Sequence, residues 1–184
     1  MAFDFEIRTI DQLTAEGSRK WSAYPGTIGM WVAEMDFGIS PELRDYLIDE
    51  ANRGSLGYLP PHQTEEVLGA TSQWLSRFDW APDPARMLLL PEVLSGLRIT
   101  IEHFSTPGSP VIVPTPAYMP FLTIPKEFGR EVIEVASVRD TDGIWHMDLD
   151  GIEAAFGRGA EVLILCNPWN PTGRCLTREE LAAL

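Results

Sequence analysis

The fold is decided by the stretch Glu161-Val-Leu-Ile-Leu-Cys-Asn-Pro-Trp-Asn-Pro-Thr-Gly173, in which an apolar run passes directly into a polar loop. Each proline fixes its own φ angle and keeps the preceding asparagine out of the helical region, so residues 167–173 cannot continue as a helix. Thr177 and Glu180 have the spacing of a capping box, which predicts a helix starting near Arg178. Ligands bind at the carboxyl ends of strands in open α/β sheets, where this loop would lie.

The rest of the second half of the chain alternates short apolar runs with helical patterns. Four strands are predicted, at 87–90, 110–113, 131–135 and 161–166. The helices between them are predicted at 94–105, 118–128 and 149–156. This alternation is typical of βαβ units. It predicts an α/β fold with a mainly parallel sheet.

An N-terminal helical arm is predicted ahead of this sheet. Residues 9–17 have the pattern of a short helix with Ile10 and Leu13 facing inward. A second helix is predicted to begin at Pro41 after the cap Ser40 and to run to Arg53. Its apolar stripe consists of Leu43, Leu47 and Ala51.

Composition and charge exclude several classes of protein. The 184 residues are 45% apolar, enough for one sizeable domain. No apolar run reaches the roughly 18 residues of a membrane span, and the start lacks a signal peptide, so we expect a cytoplasmic location and no membrane partner. The balance of 14 basic and 27 acidic residues disfavours nucleic acid as a partner. Cys166 and Cys175 lack metal-ligand spacing, and we predict no structural metal.

Three strand-to-helix crossings carry residues suited to a ligand. Pro91-Glu-Val-Leu-Ser-Gly96 opens a helix, whose free N–H groups favour an anion such as phosphate. Pro114-Thr-Pro-Ala-Tyr118 brings an aromatic ring to the mouth of the sheet, where it could stack on a flat ligand or pack on a neighbouring helix. The Asn-Pro loop offers side-chain amides. Together these features suit a phosphorylated aromatic cofactor.

At these residues the chain resembles the class I/II aminotransferase superfamily of pyridoxal-phosphate enzymes, and within it the cystathionine β-lyase-type carbon–sulfur lyases. The matching motifs are Met30-Trp-Val-Ala-Glu-Met-Asp-Phe37, Gly57-Tyr58, Thr115-Pro-Ala-Tyr118 and Asn167-Pro-Trp-Asn-Pro-Thr-Gly173. The resemblance implies pyridoxal 5'-phosphate as the cofactor. It also implies that residues 1–54 form an arm and small-domain segment, and that residues 55–184 form the N-terminal part of the cofactor-binding large domain.

The resemblance also assigns roles to individual residues. Asn170 would hydrogen-bond the phenolic oxygen of the cofactor, and Tyr118 would stack on the pyridine ring. The amides of Val93 and Leu94 would hold the phosphate. The family often has glycine where this chain has Glu92, and a carboxylate beside a phosphate is unfavourable unless it points away.

Two further assignments concern the N-terminal part of the chain. The resemblance implies a homodimer in which Tyr58 reaches the phosphate in the partner's site. It also implies that Val32 and Ala33 lie near the carboxylate of a small amino-acid substrate.

The family's Schiff-base lysine has no match among these residues. Lys20 lies in the N-terminal arm and Lys126 near the end of a helix, away from the predicted strand ends. Catalysis in the family needs a lysine within bonding reach of the cofactor. We therefore expect the chain to be the N-terminal part of a longer enzyme and to be inactive alone, with the lysine downstream of Leu184.

The favoured activity is α,β-elimination at the Cβ–S bond of cystathionine or a related cysteine conjugate, which releases pyruvate, ammonia and a thiol. A transaminase on the same scaffold is the first alternative, since the two share every matched residue. A ligand-sensing regulator with an aminotransferase-like domain is a weaker alternative, and so is a cofactor-free fragment of a truncated gene.

Overall fold

The computed structural model describes residues 8–54 and 57–184, and the chain divides into two compact units, residues 1–70 and 71–184. The predicted domains, 1–54 and 55–184, stay a prediction. Their boundary adjoins residues 55–56, and the N-terminal residues predicted to lack a signal peptide are within 1–7; both stretches lie outside the described residues. Within 8–54 and 57–184, no helix is long and apolar enough to cross a membrane.

The described residues of the first unit form the helices α1 (Ile10–Ala15), α2 (Arg19–Ser22) and α3 (Pro41–Arg53) and most of α4 (Pro61–Leu75). Helix α3 has the predicted bounds: the Ser40 hydroxyl accepts a hydrogen bond from the Leu43 N–H at its start, and Gly54 ends it in the left-handed region at φ 68°. Its apolar stripe, however, is exposed. Periodicity predicts which residues share a face, but not whether that face is covered.

Only one of the two residues of helix α1 that were predicted to face inward is buried. Leu13 is buried, whereas Ile10 is 54% exposed, so the expectation for Ile10 is wrong. The physical reason is the shortness of the helix, which has six residues and buries Leu13 alone.

The second unit is built on a parallel three-stranded sheet in the order β2–β1–β5, which confirms the predicted α/β fold. The strands are β1 (Val111–Thr115), β2 (Val132–Ala136) and β5 (Val162–Leu163), and a short antiparallel pair, β3 (Val138–Arg139) and β4 (Trp145–His146), lies outside this sheet. The helices are α5 (Val93–Phe104), α6 (Pro120–Glu127), α7 (Leu149–Gly157) and α8 (Arg178–Ala183), with 3₁₀ turns at Ser76–Phe78 and Pro84–Arg86.

The core of this unit lies on both faces of the sheet. Successive residues of β1 point to opposite faces, so Ile112 joins one cluster while Val111 and Val113 join the other. The Ile112 cluster is completed by Ile133, Val135, Ile152, Ala155 and Ala160. The opposite cluster contains Ile101, Ile124 and Ile164, together with partly buried Leu94, Ala117 and Phe121. Helix α7 therefore covers one face, and helices α5 and α6 cover the other.

Two of the predicted strands differ from the structure by more than two residues. Residues 87–90 form no strand, and Leu88 is 89% exposed. A strand needs a neighbour for its N–H and C=O groups, and none of the described strands pairs with this segment. The predicted strand 161–166 is shortened to Val162–Leu163, because the chain leaves the sheet toward the Asn-Pro loop.

Polar side chains tie together the segments that enter the three strands. The buried Arg130 side chain donates from Nε to the Ser105 hydroxyl across 3.0 Å and from Nη2 to the Ser105 carbonyl across 2.8 Å. Glu161 accepts hydrogen bonds from the backbone N–H and the hydroxyl of Thr106. The Thr106 N–H holds the pKa of Glu161 below its ordinary value. These contacts fix the amino-terminal edge of the sheet.

Candidate active site

The loops that follow β1 and β5 meet at the carboxyl edge of the sheet. These two strands are parallel neighbours, paired at Val111 with Val162 and at Ile112 with Leu163, so their loops start side by side. The Trp169 indole Nε1 donates to the Pro116 carbonyl across 2.9 Å, and Trp169 is only 2% exposed. The structure thus brings the Asn170 loop and the Tyr118 loop together, as the sequence predicts for parallel strands.

The Asn-Pro loop is closed by hydrogen bonds within itself. The Trp169 N–H donates to the Arg174 carbonyl across 2.7 Å, and the Gly173 N–H donates to the Trp169 carbonyl across 2.7 Å. Gly173 has a φ of 73°, in the left-handed region that glycine adopts without strain. The Asn167–Pro168 and Asn170–Pro171 peptide bonds are cis.

The two asparagines of this loop have different surroundings. The Asn167 Oδ1 accepts a hydrogen bond from the Leu176 N–H across 3.0 Å, so this side chain holds the loop to the segment that follows it. Asn170 is exposed, and no described residue hydrogen-bonds its side chain. Asn170 is therefore the asparagine whose amide is available to a ligand.

Tyr118 both packs on a neighbouring helix and keeps part of its ring exposed. Its ring packs edge-on against Phe121, with centroids 5.5 Å apart and an interplanar angle of 90°, so it does contact the neighbouring helix α6. The residue is nevertheless 40% exposed. The ring is thus held by one contact while part of its surface is available for stacking.

The N-terminus of α5 leaves backbone donors unused. Glu92 is the N-cap and makes no side-chain capping bond, and the Ser95 N–H donates to the Glu92 carbonyl across 3.2 Å. In the part of the chain that the structure describes, no hydrogen-bond acceptor is found for the N–H groups of Val93 and Leu94. Two N–H groups at the positive end of a twelve-residue helix suit an anion.

The Glu92 carboxylate is engaged along the side of α5. Its Oε1 accepts from the Ser95 hydroxyl across 3.2 Å and lies 3.3 Å from Arg98 Nη1. Arg98 also donates from Nε to Glu127 across 3.1 Å, and this bond to Glu127 is the main cause that raises the pKa of Arg98. The carboxylate is thus paired with a cation, which reduces its repulsion of an anion at the 93–94 amides.

Tyr58, Val32 and Ala33 lie in the first unit, and their predicted roles stay predictions. The Tyr58 side chain is fully exposed. The segment carrying Val32 and Ala33 is fixed by Glu34, whose carboxylate accepts from the Ser18 hydroxyl across 2.7 Å and from the Lys20 N–H across 3.2 Å. The Ser18 hydrogen bond is the main cause that lowers the pKa of Glu34.

Lys20 is held in an ion pair, and Lys126 is exposed. Lys20 Nζ donates to the Asp36 carboxylate across 2.8 Å and to the Glu34 carbonyl across 3.1 Å. The pKa of Asp36 is lowered first by Lys20 and then by the Trp21 indole N–H, so Lys20 forms an ion pair with an ionised carboxylate. Lys126 lies in the last turn of α6. These positions fit the expectation that neither is the Schiff-base lysine, which stays a prediction.

Sequence reasoning missed two residues that shape the site. The sequence motifs assign no role to Trp169, although a large aromatic side chain inside a polar loop favours burial. Arg174 carried no recognisable signal, because its contacts, the Trp145 carbonyl and the Glu180 carboxylate, come from other elements. Among residues 8–54 and 57–184, no cluster of His, Cys, Asp and Glu side chains could hold a metal ion.

Comparisons with known proteins agree with this arrangement. The profile of the family "Aminotransferase class I and II" matches residues 26–184. A cystathionine β-lyase from Corynebacterium glutamicum is 37% identical over 176 residues, which are 95% of this chain and 46% of that protein. The cystathionine β-lyase PatB of Bacillus subtilis (strain 168) is 32% identical over 157 residues, covering 84% of this chain and 40% of that protein.

A solved structure extends the comparison to the fold. Cystalysin from Treponema denticola, whose crystal structure contains a pyridoxal 5'-phosphate cofactor, superposes with a TM-score of 0.84 at 25% identity and covers 100% of this chain and 48% of that one. This chain spans about half the length of the relatives that it matches. The resemblance predicted from the motifs is confirmed. With the family profile matching residues 26–184, the chain belongs to the class I and II aminotransferase family.

Proposed function

We propose that the complete protein carrying this chain is a pyridoxal-phosphate-dependent lyase. It cleaves the Cβ–S bond of cystathionine or a related cysteine conjugate and releases pyruvate, ammonia and a thiol. The similarity to cystathionine β-lyases over most of the chain supports this choice of reaction. The structural observation that carries the proposal is the junction between the Asn170 and Tyr118 loops at the carboxyl edge of the sheet, made by the Trp169 hydrogen bond to Pro116.

The donors present in this chain fit pyridoxal phosphate. The unused N–H groups of Val93 and Leu94 suit its phosphate, since they lie at the positive end of α5. The exposed amide of Asn170 suits its phenolic oxygen, and the Tyr118 ring suits its aromatic face. When bound, the cofactor supplies an electron-withdrawing ring that stabilises negative charge at the substrate α-carbon.

The residues of this chain would bind and orient rather than transfer protons. Asn170 would donate a hydrogen bond to an ionised ring oxygen and so favour the charged form of that oxygen. Val93 and Leu94 would fix the phosphate end, and Tyr118 would limit tilting of the ring. We assign no proton transfer to Lys20, which is paired with Asp36, or to Lys126.

The oligomeric state, the cellular location and the remaining site residues belong to the same proposal. We propose a cytoplasmic homodimer in which Tyr58 reaches the phosphate of the partner's site, supported by the full exposure of Tyr58 in this chain. Val32 and Ala33 would approach the substrate carboxylate. Sedimentation would give the oligomeric state, and Tyr58→Phe should weaken cofactor binding. A monomeric active enzyme would contradict this part of the proposal.

A single assay separates the lyase from the transaminase. The complete protein is incubated with cystathionine and no keto-acid acceptor, and pyruvate is measured. We expect pyruvate to accumulate catalytically. Strict dependence on a keto acid would instead identify an aminotransferase, the alternative that the family as a whole supports.

Asn170→Ala tests the site itself. We expect a loss of kcat/KM of about tenfold or more, as is common when a hydrogen bond to a charged group is removed, together with a change in the absorbance of the bound cofactor. Asn52→Ala, at an exposed position of α3, is the matched control. Equal activity in both variants would remove Asn170 from the site.

A further inference from the structure

The Asn170 loop is anchored on one side by Trp169. This side chain is 2% exposed, and its indole N–H donates to the Pro116 carbonyl of the neighbouring loop across 2.9 Å. Burial alone could reflect simple space filling. The hydrogen bond adds a direction, because it fixes the indole plane and with it the backbone that leads into Asn170.

The other side of the loop is anchored by Arg174. Its Nη1 donates to the Trp145 carbonyl across 2.7 Å, and its Nη2 donates to Glu180 Oε1 across 2.6 Å. The guanidinium is therefore bonded to strand β4 and to helix α8 at once, and its side chain is only 17% exposed. A lysine could not form this planar pair of bonds in the same geometry.

The two anchors are joined through the backbone. The Trp169 N–H donates to the Arg174 carbonyl across 2.7 Å, and the Thr172 hydroxyl donates to the Trp169 carbonyl across 3.1 Å. Asn170 and Pro171 lie between these tied residues, so the Asn170 backbone cannot shift freely without breaking one of the bonds. The exposed asparagine amide thus stands on a loop that is held from both ends.

We propose that Trp169 and Arg174 are positioning residues for Asn170: the Trp169–Pro116 bond and the Arg174 bonds to Trp145 and Glu180 together hold the Asn170 amide where it meets the cofactor's ring oxygen. The inference rests on the proposed function, because it names what holds the asparagine in that same site. Neither residue needs to touch the ligand.

The test uses Trp169→Phe and Arg174→Gln in the complete protein. Trp169→Phe keeps an aromatic ring in the buried site and removes the N–H donor, and Arg174→Gln removes the paired donors. The probe is pyridoxal phosphate added to apo-protein, followed by its absorbance and by the pH dependence of that absorbance. We expect its Kd to rise about three- to tenfold, the scale of one lost hydrogen bond, and the absorbance titration to shift in the same direction as in Asn170→Ala.

A double-mutant cycle separates positioning from loss of stability. If Trp169 acts through Asn170, Trp169→Phe should weaken binding little further when Asn170 is already alanine. The thermal midpoint of each apo-protein shows whether a variant is folded. If Trp169→Phe does not fold, the same cycle is carried out with Arg174→Gln and Asn170→Ala. Trp80→Phe and Arg178→Gln, at exposed positions, are the matched controls and should leave Kd unchanged.

The outcomes distinguish the two levels of proposal. Wild-type protein that binds no pyridoxal phosphate would overturn the proposed function, and this inference with it. Normal wild-type binding, impaired binding by Asn170→Ala, and unchanged binding by folded Trp169→Phe and Arg174→Gln would overturn the inference alone. Fully additive effects in the cycles would do the same, since they would show that the residues act independently of Asn170.

Discussion

Arg98 Nη1 lies 3.3 Å from the Oε1 atom of Glu92, so the carboxylate at the start of α5 is paired with a cation on the same helix. The pair reduces the repulsion that the Glu92 carboxylate would exert on a phosphate bound by the N–H groups of Val93 and Leu94. Both side chains are partly exposed, and the pair is therefore expected to act by directing and partly neutralising the carboxylate rather than by stabilising the fold.

We predict that Arg98→Gln weakens binding of pyridoxal phosphate to the apo-protein by about two- to fivefold, the scale of one exposed charge pair. The released Glu92 carboxylate would then repel the phosphate. Glu92→Gln in the same protein should restore binding, because no charge remains to be neutralised. Titration by fluorescence measures both, with Glu127→Gln as the control that removes only the second partner of Arg98. A double variant no better than Arg98→Gln would reject this role.

Substitution of two glycines of helix α7 by alanine should have opposite effects on the free energy of unfolding. A Cβ on Gly151 would lie 2.5 Å from Asp148 Oδ2 and 2.9 Å from Val135 Cγ1, against the N-cap and the core, whereas a Cβ on Gly157 would meet nothing within 4 Å. We predict that Gly151→Ala lowers the free energy of unfolding by about 1–3 kcal/mol and that Gly157→Ala raises it by about 0.5–1 kcal/mol. Urea unfolding measures both. Equal effects would show that Gly151 is not packed more tightly than Gly157.

These glycines also show what the sequence could predict. The predicted helix 149–156 agrees with α7 to within one residue, because apolar spacing is a local signal. The helix ends at Gly157, and Gly159, two residues later, is the glycine in the left-handed region at φ 94°. A glycine's sequence position does not reveal which of two nearby glycines carries the positive φ.

The same distinction between local and distant signals applies to the site. The Thr177 capping box and the Ser40 cap are confirmed, since each depends on residues three positions apart. Residues 87–90 were predicted as a strand from apolar content alone, which says nothing about a pairing partner. The contacts of Arg174 with Trp145 and of Trp169 with Pro116 join residues 29 and 53 positions apart, a separation no local pattern reports.

Arg130→Leu should destabilise the second unit. The guanidinium is buried and donates to both the hydroxyl and the carbonyl of Ser105, so its loss leaves buried acceptors without donors. We predict a loss of about 2–4 kcal/mol, the scale for breaking a buried polar network. The urea midpoint measures it, and Arg158→Leu, the same change at an exposed position, should have little effect. An unchanged midpoint in Arg130→Leu would show that the network adds nothing to stability.

Glu180 should make stability depend on pH. The Thr177 N–H, followed by Arg174, lowers the pKa of Glu180 in the folded protein. A lowered folded pKa means that the carboxylate stabilises the fold above its unfolded pKa and that this stabilisation is lost as pH falls through the folded pKa. We therefore predict that Glu180→Gln lowers the thermal midpoint at neutral pH and that the difference from wild type vanishes in acid.

Two residues near Glu180, His146 and Glu179, determine how that experiment is controlled. His146 Nδ1 lies 3.7 Å from Glu180 Oε1, so the midpoints are compared from acidic to neutral pH in both variants rather than at one pH. Glu179→Gln removes the adjacent carboxylate in the first turn of α8. Its difference in thermal midpoint from wild type should change less with pH than that of Glu180→Gln. A difference between wild type and Glu180→Gln that is constant with pH would exclude an electrostatic origin.

The ties of Arg130 to Ser105 and of Glu161 to Thr106 lie where the chain enters the sheet, whereas Asn170 and Tyr118 lie where it leaves. On the proposed function, the contacts that stabilise the fold and the residues that would bind the cofactor lie at opposite edges of the same sheet. We expect substitutions in the loops that leave the sheet to alter ligand binding while the contacts at its entry edge keep the protein folded. In a library of variants of the complete protein, substitutions at the entry edge should change cellular abundance, and substitutions at the exit edge should change catalytic turnover. The two properties can then be selected separately.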